Sequence, residues 1–195
     1  MKNGKIIGLT GQSGAGKTTV LRCWEQKGAC VFDSDLAVRR VYESGSPCLK
    51  AVAAEFGADI IRPDGTLDRA RLAQRAFADA ARTQALNELV HPFVTAALLK
   101  QIKAARPRLL VIDAPQLFES NLDALCDVIV AVTAKEALRL SRICRRDGVS
   151  EAQARLRMNA QHDEAFFREN ADYVLENNGD TEALLHQADR LFDMM

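Results

Sequence analysis

A chain of 195 residues can bury one sizeable core, which favours a single domain with an insertion over two independent domains. Its 26 Lys and Arg residues balance 26 Asp and Glu, which argues against a nonspecific nucleic-acid binder and makes basic residues informative only where they cluster. The five cysteines, at 23, 30, 48, 126 and 144, form no C-x-x-C pair and no metal spacing, and read as reduced, mostly buried thiols.

In chain order, residues 6–10 form the first short apolar run and read as a buried strand entered directly from Met1 to Lys5. With no secretion leader expected there and no apolar run near the roughly 18 residues a membrane span needs, the expected location is cytoplasmic. A Gly-rich turn over 11–18 opens into a helical pattern, and residues 29–33 read as the second strand. Residues 34–107 carry no convincing strand and read as a helical insertion, punctuated by Gly45-Ser46-Pro47, Gly57 and Arg62-Pro63-Asp64-Gly65. Within it, His91-Pro92 predicts a helix boundary, because Pro restricts the residue before it. Residues 109–114 and 128–133 read as the third and fourth strands, a second helical excursion spans 135–171 with a break at Asp147-Gly148, and residues 173–176 read as the fifth strand. Apolar strands alternating with helices imply an α/β class: a five-stranded parallel sheet covered by helices on both faces, in three layers.

The segment Gly11-Gln12-Ser13-Gly14-Ala15-Gly16-Lys17-Thr18 fits the P-loop pattern G-x-x-x-x-G-K-[ST] at every fixed position. Glycines let successive backbone N–H groups point inward, and the helix that follows adds its positive end, so polyphosphate is gripped mainly by main chain. Residues 11 to 18, with Thr19, are therefore the candidate nucleotide-binding residues. Lys17 is placed to reach the β- and γ-phosphates, and Thr18 to offer its hydroxyl to Mg²⁺.

Ligands of such sheets gather beyond the carboxyl ends of the strands, where Asp33, Asp113 and Asn177 fall. Asp33 reads either as the carboxylate that orients an attacking hydroxyl or as one held by backbone N–H groups, and Asp35 as an N-cap or a substrate contact. Asp113 reads either as an acid that reaches the metal through water or as a solvated strand end, and Glu119 as a helix-start carboxylate. In the second excursion Arg139, Arg142 and Arg146 share one helical face opposite Ala137, Leu140, Ile143 and Cys144. Arg142 and Arg146 are an i,i+4 like-charge pair that a bound anion would relieve, and with Arg155 and Arg157 they suggest a pair of helices closing as a lid over phosphate, the other reading being a solvated basic face. His91, His162 and His186 have no metal spacing; His91 reads as a satisfied structural histidine and His186 as a surface one. Trp24 and Phe166-Phe167 read as packing residues. A GTP-driven switch is disfavoured, since no D-x-x-G follows the third strand and no N-K-x-D or T-K-x-D occurs.

Taken in order, these residues resemble the dephospho-CoA kinase family nearly end to end. The resemblance rests on Gly8-Leu9-Thr10-Gly11 leading into the P-loop, Asp33-Ser34-Asp35 with Arg39, Gly65-Thr66-Leu67-Asp68-Arg69, and His91-Pro92. It continues through 113–119, Arg139-Leu140-Ser141-Arg142, Arg157-Met158-Asn159-Ala160-Gln161, Ala171-Asp172-Tyr173 and Asn177-Asn178-Gly179. It implies ATP-dependent phosphorylation of the ribose 3′-hydroxyl of dephospho-CoA, the last step of CoA biosynthesis, with Mg²⁺ and with neither nucleic acid nor membrane as partner. Asp33 then activates the acceptor hydroxyl, Lys17 and Arg142 act on the transferring phosphate, and Arg139, Asn177 and Gly179 lie on the nucleotide side. Asp33, Asp35, Arg39, Arg69, His91 and Pro115 lie on the acceptor side, 34–107 becoming the CoA-binding insertion and 135–171 the lid. The chain departs from the family pattern at Gln12-Ser13, where Gly-Ile is usual, at Ser34 for Ala and at Gln116 for Leu.

Overall fold

The computed structural model describes residues 4–105 and 107–195; Met1 to Asn3, at the expected entry to the first strand, lie outside them. The chain divides into two compact units, Met1–Phe32 with Pro107–Met195, and Asp33–Arg106.

The first unit is built on five strands: β1 (Lys5–Gly11), β2 (Cys30–Asp33), β3 (Leu109–Asp113), β4 (Val128–Thr133) and β5 (Tyr173–Glu176). They lie in the order β2-β3-β1-β4-β5, and β1 pairs in parallel with β3 and β4, as β4 does with β5. Strand order therefore diverges on either side of β1, which places a ligand crevice beyond its carboxyl end. Parallel strands need crossovers, and these bring α1 (Lys17–Gln26), α6 (Glu136–Asp147), α7 (Glu151–Asn159), α8 (Glu164–Asn170) and α9 (Thr181–Met194) into this unit. Ile7, Leu9, Val111, Val130 and Val132 are fully buried in the core with Val20 and Trp24 of α1 and Leu184 and Ala188 of α9. Trp24 Nε1 donates to the Ala188 carbonyl at 2.9 Å, so the indole is packed without leaving its donor unpaired. A smaller core of Leu140, Ile143, Ala154 and Met158 joins α6 to α7, which are separated at Gly148.

The second unit is helical: α2 (Ser34–Val41), α3 (Pro47–Phe56), a 3-10 turn (Ala58–Ile60), α4 (Arg69–Ala76) and α5 (Ala80–Ala105). Its one extended feature among the described residues is an isolated antiparallel bridge between Ile61 and Leu67. The expected boundary at His91-Pro92 does not occur, because α5 runs through Pro92. Pro in a helix interior costs about 3 kcal/mol, whereas burying Leu86, Val90, Val94 and Leu98 of α5 contributes up to about 6–12 kcal/mol, so packing overrides the local break.

The cysteine expectation is corrected too. All five thiols are free, but only Cys48 is buried, the other four lying at half-buried positions. Desolvation raises the Cys48 thiol to about 11 and the Cys126 thiol to about 12, which keeps both protonated and unreactive. No helix among the described residues is long and apolar enough to cross a membrane.

Candidate active site

β1 ends at Gly11 and the chain curls through residues 12–16 before α1 begins at Lys17. Gly14 and Gly16 take φ angles of 77° and 110°, a left-handed backbone that a side chain would strain. A Cβ on Gly14 would also lie 2.7 Å from the Arg139 carbonyl oxygen, and one on Gly16 would run into Asn177 Nδ2.

The carbonyl groups of this loop all have partners, and those of Ser13, Gly14 and Ala15 are held by side chains from α6 and the turn after β5. Gln12 O accepts from Ala15 N at 3.0 Å, Ser13 O from Arg139 Nε at 3.0 Å, and Gly14 O from Arg142 Nη1 at 3.4 Å. Ala15 O accepts from Asn177 Nδ2 at 2.7 Å, and Gly16 O from Thr19 N at 2.9 Å. The Ser13 and Ala15 amides are themselves engaged, by Gln161 and Gln12, so the amides suited to an anion are those where the loop runs into α1. No side chain caps α1, and the first amides of a helix have no intrahelical partner, so this end is suited to an anion.

Lys17 Nζ forms an ion pair with Asp113 Oδ1 at the end of β3, with both side chains less than one-fifth exposed. Asp113 lies in register with Leu9 of β1, which carries the carboxylate to the edge where the loop begins. Beside them Thr10 Oγ1 donates to the Pro115 carbonyl at 3.4 Å, so Pro115 serves through its backbone.

A dephospho-CoA kinase family model matches residues 5–183. The chain belongs to the dephospho-CoA kinase family. A dephospho-CoA kinase of Corynebacterium diphtheriae is 39% identical over 191 residues, which cover 96% of each chain. One from Anaeromyxobacter dehalogenans is 41% identical over 192 residues, 96% of this chain and 90% of that one. Among solved structures, a Thermus thermophilus protein aligns with a TM-score of 0.84 at 30% identity, covering 100% of this chain and 99% of that one.

In this family member the expected residues fall into three groups. Arg139, Arg142 and Asn177 do come to the P-loop, but on its carbonyl side. Arg139 is buried with Leu140 and Ile143, whereas Ala137 of the expected apolar face is exposed. Burial pushes the Arg139 guanidinium below its usual range, with Glu136 and Glu164 opposing that shift, and its Nη2 has no hydrogen-bond partner among the described residues. Arg142 donates from both terminal nitrogens to the Asn177 carbonyl at 3.2 Å. Gly179 sits in the bend before α9, whose N-cap is Asp180.

The second group is neutralised by the protein itself. Arg146 pairs with Asp147 at 2.7 Å, Arg157 with Asp147 at 2.9 Å, and Arg155 with Glu136 at 2.6 Å. In this structure the like-charge cost between Arg142 and Arg146 is met by the Gly14 and Asn177 carbonyls and by Asp147. The expected pair of arginine-bearing helices is α6 and α7, with α8 as a third helix of the excursion, and Glu119 lies in a run of turns, not at a helix start.

The third group belongs to the helical unit. Asp33, not Asp35, caps α2: its Oδ1 accepts from Leu36 N at 2.8 Å, while Asp35 and Arg39 occupy the first and last turns. Arg69 opens α4 behind its cap, Asp68, and its charge opposes the rise that burial imposes on the Tyr42 hydroxyl. His91, expected to be satisfied, has a buried Nε2 with no partner among the described residues.

One residue of the P-loop's surroundings was not singled out from sequence. Gln161, which appears there only as the end of a motif, accepts from Ser13 N at 2.8 Å through its Oε1. A polar amide in a connection between helices carries no signal of its own, so only the three-dimensional contact reveals it.

Proposed function

We propose that this chain transfers the γ-phosphate of ATP to the ribose 3′-hydroxyl of dephospho-CoA, giving CoA and ADP in the cytoplasm. The observation that carries the reading is the P-loop whose Ser13, Gly14 and Ala15 carbonyls are held by distant side chains and whose lysine stands beside a strand-end carboxylate, in a member of this family. In phosphoryl transfer the protein mainly positions groups and stabilises charge.

Lys17 exchanges Asp113 for the β- and γ-phosphate oxygens, and the amides where the loop runs into α1 take the remaining charge. Asp33 keeps Oδ1 on the α2 cap and uses Oδ2 to accept the proton of the attacking 3′-hydroxyl. As that oxygen bonds to phosphorus, the bond to the β–γ bridging oxygen breaks and ADP leaves. Arg142 and Asn177 keep the loop in shape during the step. The acceptor side is assigned to Asp35, Arg39, Arg69, His91 and Pro115, and the adenine side to the 177–179 turn.

Thr18 and Asp113 are hard oxygen donors suited to Mg²⁺, Asp113 through water, although the described residues hold no cluster of three His, Cys, Asp or Glu that would bind a metal unaided. Phosphate oxygens and water complete such a shell, and the ion supplies charge neutralisation. The test is ADP release with dephospho-CoA set against adenosine, AMP and pantetheine-type acceptors. Turnover confined to dephospho-CoA is expected, and equal turnover of AMP would contradict the acceptor assignment.

A further inference from the structure

The two peptide groups that flank Ser13 are both gripped by the 135–171 region. The Ser13 N–H donates to Gln161 Oε1 at 2.8 Å, and the Ser13 carbonyl accepts from Arg139 Nε at 3.0 Å. Next to it, Gln12 Nε2 donates to the His162 carbonyl at 3.4 Å, so residues 12 and 13 of the loop are fastened to residues 162 and 161. Gln12 is buried and stands where the family pattern usually has Gly, which makes this second bond a property of this chain's own loop.

The connection that supplies these bonds is itself anchored elsewhere. The His162 ring stacks on Phe166 with centroids 3.7 Å apart, and its Nε2 lies 3.4 Å from Glu119 Oε1. Phe166 meets Phe118 edge-on at 5.1 Å, and Phe167 is buried. Residues 161–167 therefore tie the P-loop to the turns that follow β3. Because the Gln161 bond is the short one and reaches a backbone N–H of the loop, it sets the orientation of the 12–13 peptide relative to α6 and α7.

We infer that Gln161 is a positioning residue for phosphoryl transfer: its amide oxygen fixes the Ser13 peptide and thereby registers the α7–α8 connection against the P-loop. This rests on the kinase reading given above. Gln161 is expected to touch no reacting atom, so its loss should appear in turnover and not in nucleotide affinity.

The test is Gln161→Met, which keeps the length of the side chain and removes its acceptor. Three quantities are measured on the full chain: hydrogen exchange of the Ser13 amide, kcat with ATP and dephospho-CoA, and ADP affinity by calorimetry. Expected are faster exchange at Ser13, a fall in kcat of about tenfold, and an ADP Kd within about twofold of the parent. Unchanged exchange at Ser13 would overturn the contact, and unchanged kcat would overturn its positioning role. A parallel loss of ADP affinity and melting temperature would also overturn it, since that pattern marks a collapsed loop. The kinase reading fails separately, if the parent chain forms no 3′-phosphorylated product while the exchange result stands.

Discussion

Asp113→Asn removes the charge that Lys17 faces and leaves the size of the side chain almost unchanged. Lys17 and Asp113 are 15% and 18% exposed, so the pair is neither a solvated surface contact nor a fully buried one. Surface pairs contribute up to about 1 kcal/mol, and stripping one partner from a buried pair costs about 3–5 kcal/mol. An intermediate cost of about 2 kcal/mol follows, which for a chain of this size lowers the melting temperature by about 4–8 °C. The same change removes a competitor for Lys17, so ADP without magnesium should bind the variant more tightly than the parent. Calorimetric titration beside thermal unfolding reads both effects. Lower stability with tighter metal-free ADP binding is the expected pair of results. An unchanged melting temperature, or weaker metal-free binding, would refute the view that Asp113 holds Lys17 in reserve for phosphate.

Asn177→Ala unties the Ala15 carbonyl and exposes the P-loop to relaxation, so a loss of about 1–3 kcal/mol in stability is expected with at least tenfold weaker ADP binding, read by denaturant unfolding and calorimetry. Pro92→Ala restores a donor within α5 and removes the clash with the preceding turn; a gain of about 1–3 kcal/mol is expected in thermal unfolding, and a loss would contradict the strained-helix account. The Arg75 hydrogen bond, with a smaller charge contribution from Arg71, lowers Asp59 from 3.8 to about 2. A depressed carboxyl contributes stability above its unfolded value that is lost as pH falls toward 2, so Asp59→Asn should flatten the acid limb of a pH–stability profile between about 4 and 2. An unchanged limb would show that Arg75 does not hold this carboxyl.

The strands were legible because their signal is local: 128–133 and 173–176 are apolar runs between polar ends, and they coincide with β4 and β5. The P-loop was legible for a similar reason, since its glycines and Lys17 report backbone geometry and charge at fixed spacing. Pro92 misled because α5 is packed against α2 and α3, helices distant in sequence, as well as against the preceding α4, and no local pattern reports those contacts. The partners of the arginines of 135–171 were not legible, for another reason. The helical spacing of these arginines is plain, but the carboxylates and carbonyls that satisfy them lie as close as the next residue for Arg146 and as far as 128 positions away for Arg142. Asp33 and Asp35 differ by one question of register, which of two acids faces the free amide at the start of α2, and only the backbone answers it. Gln161 stood in the sequence only as the end of a motif, and its role was not legible because an amide oxygen acquires meaning only from the N–H it meets.

The most direct measurement supplies the purified chain with ATP, magnesium and dephospho-CoA and follows the products by phosphorus NMR, with Lys17→Ala as the control. A new 3′-phosphomonoester resonance rising in step with ADP, and slowed by orders of magnitude in the variant, is the expected result. ADP formed without that resonance, or a variant as fast as the parent, would contradict the account.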